Sequence, residues 1–188
     1  MSNWKPVRDL VEHSTTWSEF VYRDELDSTN RYLRDKENLD PGTVVLADRQ
    51  THGQGRGDRR WYSPEGGLWF SFSLSGLSSR DTPELYVKLL NLVQELLEEY
   101  GVRASVSRPN DLVVEGKKIA GMLIEERAGN YIVGIGINVN NEASGLPKPV
   151  KESSTTIKNI IGEEVDRTTM LRDFLARFEE LYREKDNT

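Results

Sequence analysis

Between Asp48 and Trp61 the chain reads Asp-Arg-Gln-Thr-His-Gly-Gln-Gly-Arg-Gly-Asp-Arg-Arg-Trp. Gly53, Gly55 and Gly57 alternate with polar residues, and Arg49, Arg56, Arg59 and Arg60 surround them. Glycine brings no side-chain bulk, so such a loop can wrap closely around a ligand. Arginine forks onto phosphate or carboxylate oxygens. The combination suits an anionic nucleotide or a reactive acyl phosphate; taken alone, it equally describes a flexible hairpin. It has neither the spacing nor the following helix of a dinucleotide fingerprint, and no Gly-Lys-Ser/Thr marks a phosphate loop. His52 reads as a solvent-facing loop residue.

Three further groups carry polar chemistry. In Arg108-Pro-Asn-Asp111, proline fixes the backbone before Asn110 and Asp111, whose oxygens can orient an amine or hold a magnesium ion. A tight turn then returns Lys117 or Lys118 towards them. Strand alternation lets only one of the two share the face of Ala120, and Lys118 is favoured. The alternative is a hairpin with solvated lysines. In Gly134-Ile-Gly-Ile-Asn-Val-Asn140, small residues alternate with isoleucine, leaving one strand face bare for a flat ligand or for a close helix contact, with Asn138 offering an amide. Asp27-Ser-Thr-Asn30 reads first as a helix cap.

These groups need a scaffold. Alternation predicts strands over 20–26, 43–47, 67–74, 103–107, 112–114, 118–126 and 131–138. Turns are expected at Glu115-Gly116 and Gly129-Asn130, so the later strands are sequential and mainly antiparallel. A short helix is expected from Asp27 or Ser28 to about Lys36. A longer one runs from Pro83 to Tyr100, with Thr82 as N-cap, Gly101 at C′ and a leucine stripe facing a sheet. Thr155 to Ile161 and a helix capped by Asp166 and running to Tyr182 complete the pattern. The expected fold class is α+β: a mixed, largely antiparallel sheet with helices mainly on one face.

The chain has 188 residues, 36% of them hydrophobic, enough for the core of one domain. Residues 1–18 are expected as an N-terminal arm and 19–188 as a single domain. A net charge of -6 argues against nucleic acid as a partner. With no cysteine, disulfides and thiolate chemistry are excluded within these residues. No apolar run approaches the roughly 18 residues of a membrane span. The first residues lack a signal-peptide core, so a cytoplasmic location is expected.

In this order, the four groups resemble the catalytic domain of biotin–protein ligases over residues 20–183. The matching elements are Ser28-Thr29-Asn30, Gln50 to Trp61 with Ser63-Pro64 and Gly66-Gly67, Pro109-Asn110-Asp111, Lys117-Lys118-Ile-Ala-Gly121, and Gly134 to Asn138. The resemblance implies a fold related to class II aminoacyl-tRNA synthetases and lipoate ligases. It also implies a two-step reaction. Biotin and ATP give biotinyl-5′-AMP, and a lysine of a biotin carboxyl carrier protein then takes the biotin. Magnesium would accompany ATP. By position, Ser28, Thr29, Asn30, Gln50, Gly53, Gly55, Arg56, Lys118 and Gly121 would bind biotin. Arg56, Arg59, Trp61, Asn110, Asp111, Lys118 and Asn138 would bind ATP, with Asn110 and Asp111 nearest the metal. Lys118, Arg56 and Asp111 would carry the catalysis.

The chain departs from the family pattern at three places. Gln54 stands where the first loop arginine is common, Ser107-Arg108 where Lys-Trp is common, and His52 where a small residue is usual. Two cations are thus missing near the phosphates, with Arg103 and Arg108 as the nearest replacements. A winged-helix segment before the domain and a small β-barrel after Tyr182, both present in many members, are not expected. Homodimers are frequent in the family and are carried over as an expectation. Two other functions share the scaffold: a binding module for biotin or biotinyl-AMP without turnover, and a lipoate or octanoate ligase.

Overall fold

The computed structural model describes residues 3–57, 59–107, 109–142 and 145–186, with side chains to 183. Among these, seven strands form one sheet: β1 (Glu19–Leu26), β2 (Thr43–Gln50), β3 (Leu68–Leu74), β4 (Ser105–Ser107), β5 (Asp111–Val114), β6 (Lys117–Arg127) and β7 (Asn130–Ile137). Their order is β1-β2-β3-β7-β6-β5-β4. β1 and β2 are parallel, and every other pairing is antiparallel. The mixed, largely antiparallel sheet expected from the sequence is the one found.

The helices are α1 (Lys5–His13), α2 (Thr29–Arg34), α3 (Thr82–Glu99), α4 (Lys148–Ser153), α5 (Ile157–Ile161) and α6 (Arg167–Asp186). Strand alternation divides the apolar residues between two faces. Val44, Leu46, Val133, Ile135 and Ile137 join the large core with Leu89 and Leu96 of α3 and Phe174 and Phe178 of α6. Val45 and Ile132 point the other way and pack with Leu33 of α2. α1, α3, α5 and α6 all contribute to the large core on one face, while α2 covers part of the opposite face and leaves the remainder open. Residues set apart as an arm contribute Trp4, Val7, Val11 and Trp17 to the large core. Trp17 also donates Nε1–H to the Leu175 carbonyl at 3.1 Å.

Several boundaries move for visible reasons. α3 starts one residue early, with Asp81 rather than Thr82 as N-cap. Its end is as expected: Gly101 takes φ +75°, and the Val102 amide returns to the Leu97 carbonyl at 3.0 Å. β4 begins at Ser105, not 103, because the Ala104 carbonyl is taken by Gln94 Nε2 at 2.8 Å. The last hairpin turns on Ala128-Gly129, one residue before the expected Gly129-Asn130, with both residues at positive φ. α4 had no sequence signal, since none of its residues is buried.

α6 is fastened at its start. Asp166 Oδ1 accepts the Thr168 amide at 3.0 Å and Oδ2 accepts the Thr169 hydroxyl at 2.7 Å. Burial pushes the Asp166 carboxyl up, but these hydrogen bonds outweigh it and hold the group below the usual carboxylate range. Its contribution is complete above the unfolded aspartate's pKa and lost as pH falls through the lowered folded value. Asp166→Ala is expected to cost about 1 kcal/mol in urea unfolding at neutral pH. The gap between the two proteins should close in acid, and a gap that persists there would remove the carboxylate from the cap.

Candidate active site

The face that α2 leaves partly open is built from backbone and short side chains. On β3, Ser71 and Ser73 alternate with core residues Phe70, Phe72 and Leu74, all buried. Ser71 Oγ lies 2.7 Å from Thr29 Oγ1 and 2.6 Å from Asn30 Oδ1. Ser28 caps α2 by accepting the Arg31 amide at 3.3 Å. Asp27 supports the same turn: Arg31 Nη1 and the Ser28 amide donate to its carboxylate at 2.9 and 2.7 Å. These contacts overcome the upward push of burial and keep Asp27 below its ordinary range. Gln50 Oε1 accepts the Thr29 amide at 2.8 Å and lies 3.1 Å from Thr29 Oγ1, and Gln50 Nε2 donates to Ser63 Oγ at 2.6 Å. That leaves one Nε2 proton for a ligand.

Lys118 reaches this face by a backbone irregularity. The β5–β6 register pairs Leu112 with Ala120 and Val113 with Lys118, so Ile119 is an extra residue. Such a bulge lets Ile119 and Ala120 both enter the large core and turns Lys118 to the opposite face, beside Gly121. The choice of Lys118 over Lys117 thus holds, but the reason given by alternation does not: Lys118 does not share the face of Ala120. Its Nζ lies 2.8 Å from Asp111 Oδ1 and 4.7 Å from the centre of the Trp61 ring.

The bare strand face is already occupied in part. A Cβ on Gly134 would collide with Asn30 Oδ1, and one on Gly136 or Gly121 would lie 2.6 or 2.8 Å from the Trp61 indole. Asn30 is buried and its Nδ2 donates to Glu125 Oε2 at 2.7 Å, so it acts as a strut between α2 and the sheet. Trp61 Nε1 is buried without a hydrogen-bond partner.

The hairpin around the glycine loop closes over these groups. Its stem is tied by Trp61 N–H to Gly53 O at 2.9 Å and Gly55 N–H to Arg59 O at 2.8 Å. A cleft lies beneath it, lined by Ser28, Thr29, Asn30, Gln50, Gln54, Gly55, Arg56, Arg59, Arg60, Trp61, Asn110, Asp111, Lys118 and Gly121 among others. A second cleft holds Asn138 with Tyr62, Leu146, Val150, Ser153 and Ser154. Arg60, Trp61 and Lys118 line both. The expected site residues therefore collect around two adjoining clefts. Gly53 is buried in the hairpin stem, where a Cβ would lie 2.9 Å from Ser63 Oγ.

Asn110 and Asp111 make no preformed metal cage. Asn110 is buried and its Nδ2 donates to the Met122 carbonyl at 2.5 Å, while Asp111 is paired with Lys118. Among the described residues no three carboxylates or histidines gather as a metal-binding group, and magnesium asks for near-octahedral oxygen ligands. Arg103 lines neither cleft, and Arg108 lies outside the described residues. His52 is exposed, as expected. Ser71, Glu125 and the α4 residues escaped the sequence reading, while Arg60 and Ser63 were read only as parts of the glycine-loop motif. Only Phe-Ser-Phe-Ser in β3 carried a signal, as polar residues at period two within a buried run.

The model of the biotin/lipoate A/B protein ligase family matches residues 22–141. The chain belongs to that family. It is 36% identical over 174 residues to the bifunctional ligase/repressor BirA of Bacillus subtilis, covering 87% of this chain and 54% of that protein. It is 30% identical over 161 residues to the biotin–[acetyl-CoA-carboxylase] ligase of Paracoccus denitrificans, covering 80% of this chain and 67% of that one. The chain thus spans about half the length of the Bacillus relative. Among solved structures, biotin protein ligase from Aquifex aeolicus in complex with biotin and ATP superposes with a TM-score of 0.79 at 39% identity, over 87% of this chain and 70% of that one. No helix among the described residues is long and apolar enough to cross a membrane.

For this family member, the fit of Asn30 against Gly134 yields a direct test. Gly134→Ala is expected to cost about 1–3 kcal/mol in denaturant unfolding through overpacking. Combined with Asn30→Ala, which vacates the space, the loss should be smaller than the sum of the single losses. Strict additivity would separate the two residues.

Proposed function

We propose that this chain is a biotin–protein ligase domain that activates biotin with ATP as biotinyl-5′-AMP and passes it to one lysine of a biotin carboxyl carrier protein. The observation that carries this reading is the position of Lys118, whose ammonium stands at the junction of the two clefts beside Asp111 and Trp61. A cleft walled by Ser28, Thr29 and Gln50 offers the amide and hydroxyl contacts that a ureido ring needs. A hydrophobic tail alone would leave the spare Nε2 proton of Gln50 unanswered, which favours biotin over lipoate or octanoate. The other cleft would take the nucleotide, with Trp61 against the adenine and Asn138 beside it.

In the first step the biotin carboxylate attacks the α-phosphorus of ATP, a P–O bond forms, and pyrophosphate leaves. Two anions approach each other, so a fixed cation where charge accumulates lowers the barrier. Lys118 fills that role in this reading, with Arg56 and Arg59 of the hairpin answering the phosphates. Magnesium would come with ATP as part of the substrate, since no cage for it gathers among the described residues. In the second step the neutral amine of the carrier lysine attacks the acyl carbon and AMP leaves. Asp111 is the carboxylate nearest that point and would accept the amine's proton. Positioning does most of the work, and the hairpin shields the mixed anhydride from water. A cytoplasmic setting, where ATP and the carrier meet, accords with this chemistry.

The test is transfer of labelled biotin to a purified carrier domain with ATP and magnesium, which this reading expects and whose absence would overturn it. Lys118→Gln is expected to slow pyrophosphate release by about 10²–10³-fold while biotin still binds. Full turnover in that variant would remove Lys118 from the first step. Pyrophosphate release by the unaltered protein separates a ligase from a binding module without turnover, the reading that Gln54 in place of an arginine favours.

A further inference from the structure

One cation beside the site plays no part in the proposed chemistry. Arg34, in the last turn of α2, lines neither cleft. Its Nη1 lies 3.0 Å from Glu125 Oε1 and 3.4 Å from Gln54 Oε1. The other oxygen of Glu125 accepts Asn30 Nδ2 at 2.7 Å. Gln54 belongs to the stem of the glycine-loop hairpin, where it bridges to Arg60 between the amide contacts of Gly53–Trp61 and Gly55–Arg59. A single guanidinium thus touches both the hairpin stem and the carboxylate that fixes Asn30.

We propose that Arg34 is a positioning residue that ties the hairpin, through Gln54, to the Glu125–Asn30 strut, and so holds Trp61 and Arg56 over the cleft. The reading of that cleft as a biotin site underlies this proposal. Glu125 neutralises most of the guanidinium's charge, and the contact with Gln54 is long. The tie is therefore modest, suited to a segment that must also release product. It also explains a glutamine at 54: an arginine there would set two guanidinium groups against each other, and the hairpin would loosen rather than tighten.

Two measurements on the full chain test it. The first is amide hydrogen exchange over residues 53–61 without ligand, which reports on the Gly55 and Trp61 amides. The second is the biotin dissociation rate. Gln54→Leu is expected to raise both rates by about threefold to tenfold, the worth of one hydrogen bond. Gln54→Arg should raise them more. In an Arg34→Met background, Gln54→Leu should add less than about twofold and Gln54→Arg should lose its extra effect, as coupled residues require. Thermal melting of the Gln54 variants should stay within a few degrees of the unaltered protein, which distinguishes a local tie from a general loss of structure. Unchanged rates in Gln54→Leu, or additive effects of the two positions, would overturn the proposal. If Arg34→Met does not fold, the comparison of Gln54→Arg with Gln54→Leu still decides, since arginine is the worse substitution only when it faces a guanidinium. If the unaltered protein fails to bind biotin while the exchange rates remain coupled, the biotin reading falls and the tie stands.

Discussion

A run of hydrogen bonds holds the site face together: Glu125 to Asn30, Asn30 to Ser71, Ser71 to Thr29, Thr29 to Gln50, and Gln50 to Ser63. It links α2 to β2, β3, β6 and the return arm of the hairpin. Such a face cannot be apolar if it is to hold a polar ligand, yet buried polar groups cost about 1–3 kcal/mol each when left unpaired. The solution here is mutual saturation. Each amide or hydroxyl satisfies its neighbour and keeps at most a spare valence for a ligand. That requirement explains why serine alternates with phenylalanine in β3, and why Gly134 faces Asn30. The glycine is less an empty platform than the space the asparagine needs.

Much of this was legible in the sequence, though unevenly. Period-two patterns and tight turns determine the strands, and the opposite faces of the sheet follow from which residues alternate. Type and spacing singled out groups around the clefts, such as glycines between arginines and Asn-Asp after proline, but each was ambiguous alone, and the expected binding roles came from the family resemblance. What escaped were residues whose chemistry is ordinary. Glu125 and Arg34 read as charges on a strand and a helix, and only the packing of α2 on the sheet brings them together. The bulge at Ile119 was equally hidden, since no glycine or proline marks it. Its effect is large, because a slip of one residue moves a side chain from one face to the other. Alternation alone would have aligned Lys118 with Ala120 in the core.

Electrostatics completes the argument. The chain is acidic overall, with 31 carboxylate residues against 25 lysines and arginines. Yet Arg56, Arg59, Arg60 and Lys118 gather at the clefts. Arg60 is held by the Thr51 carbonyl at 2.7 Å and by the Tyr62 ring. Lys118 and Asp111 are only partly exposed, at 34% and 22% of their side chains, so their attraction is less screened than that of a surface pair. An incoming carboxylate or phosphate at Lys118 would replace one anionic partner with another. The ammonium then stays compensated throughout, and the exchange costs far less than stripping a bare charge of its partner.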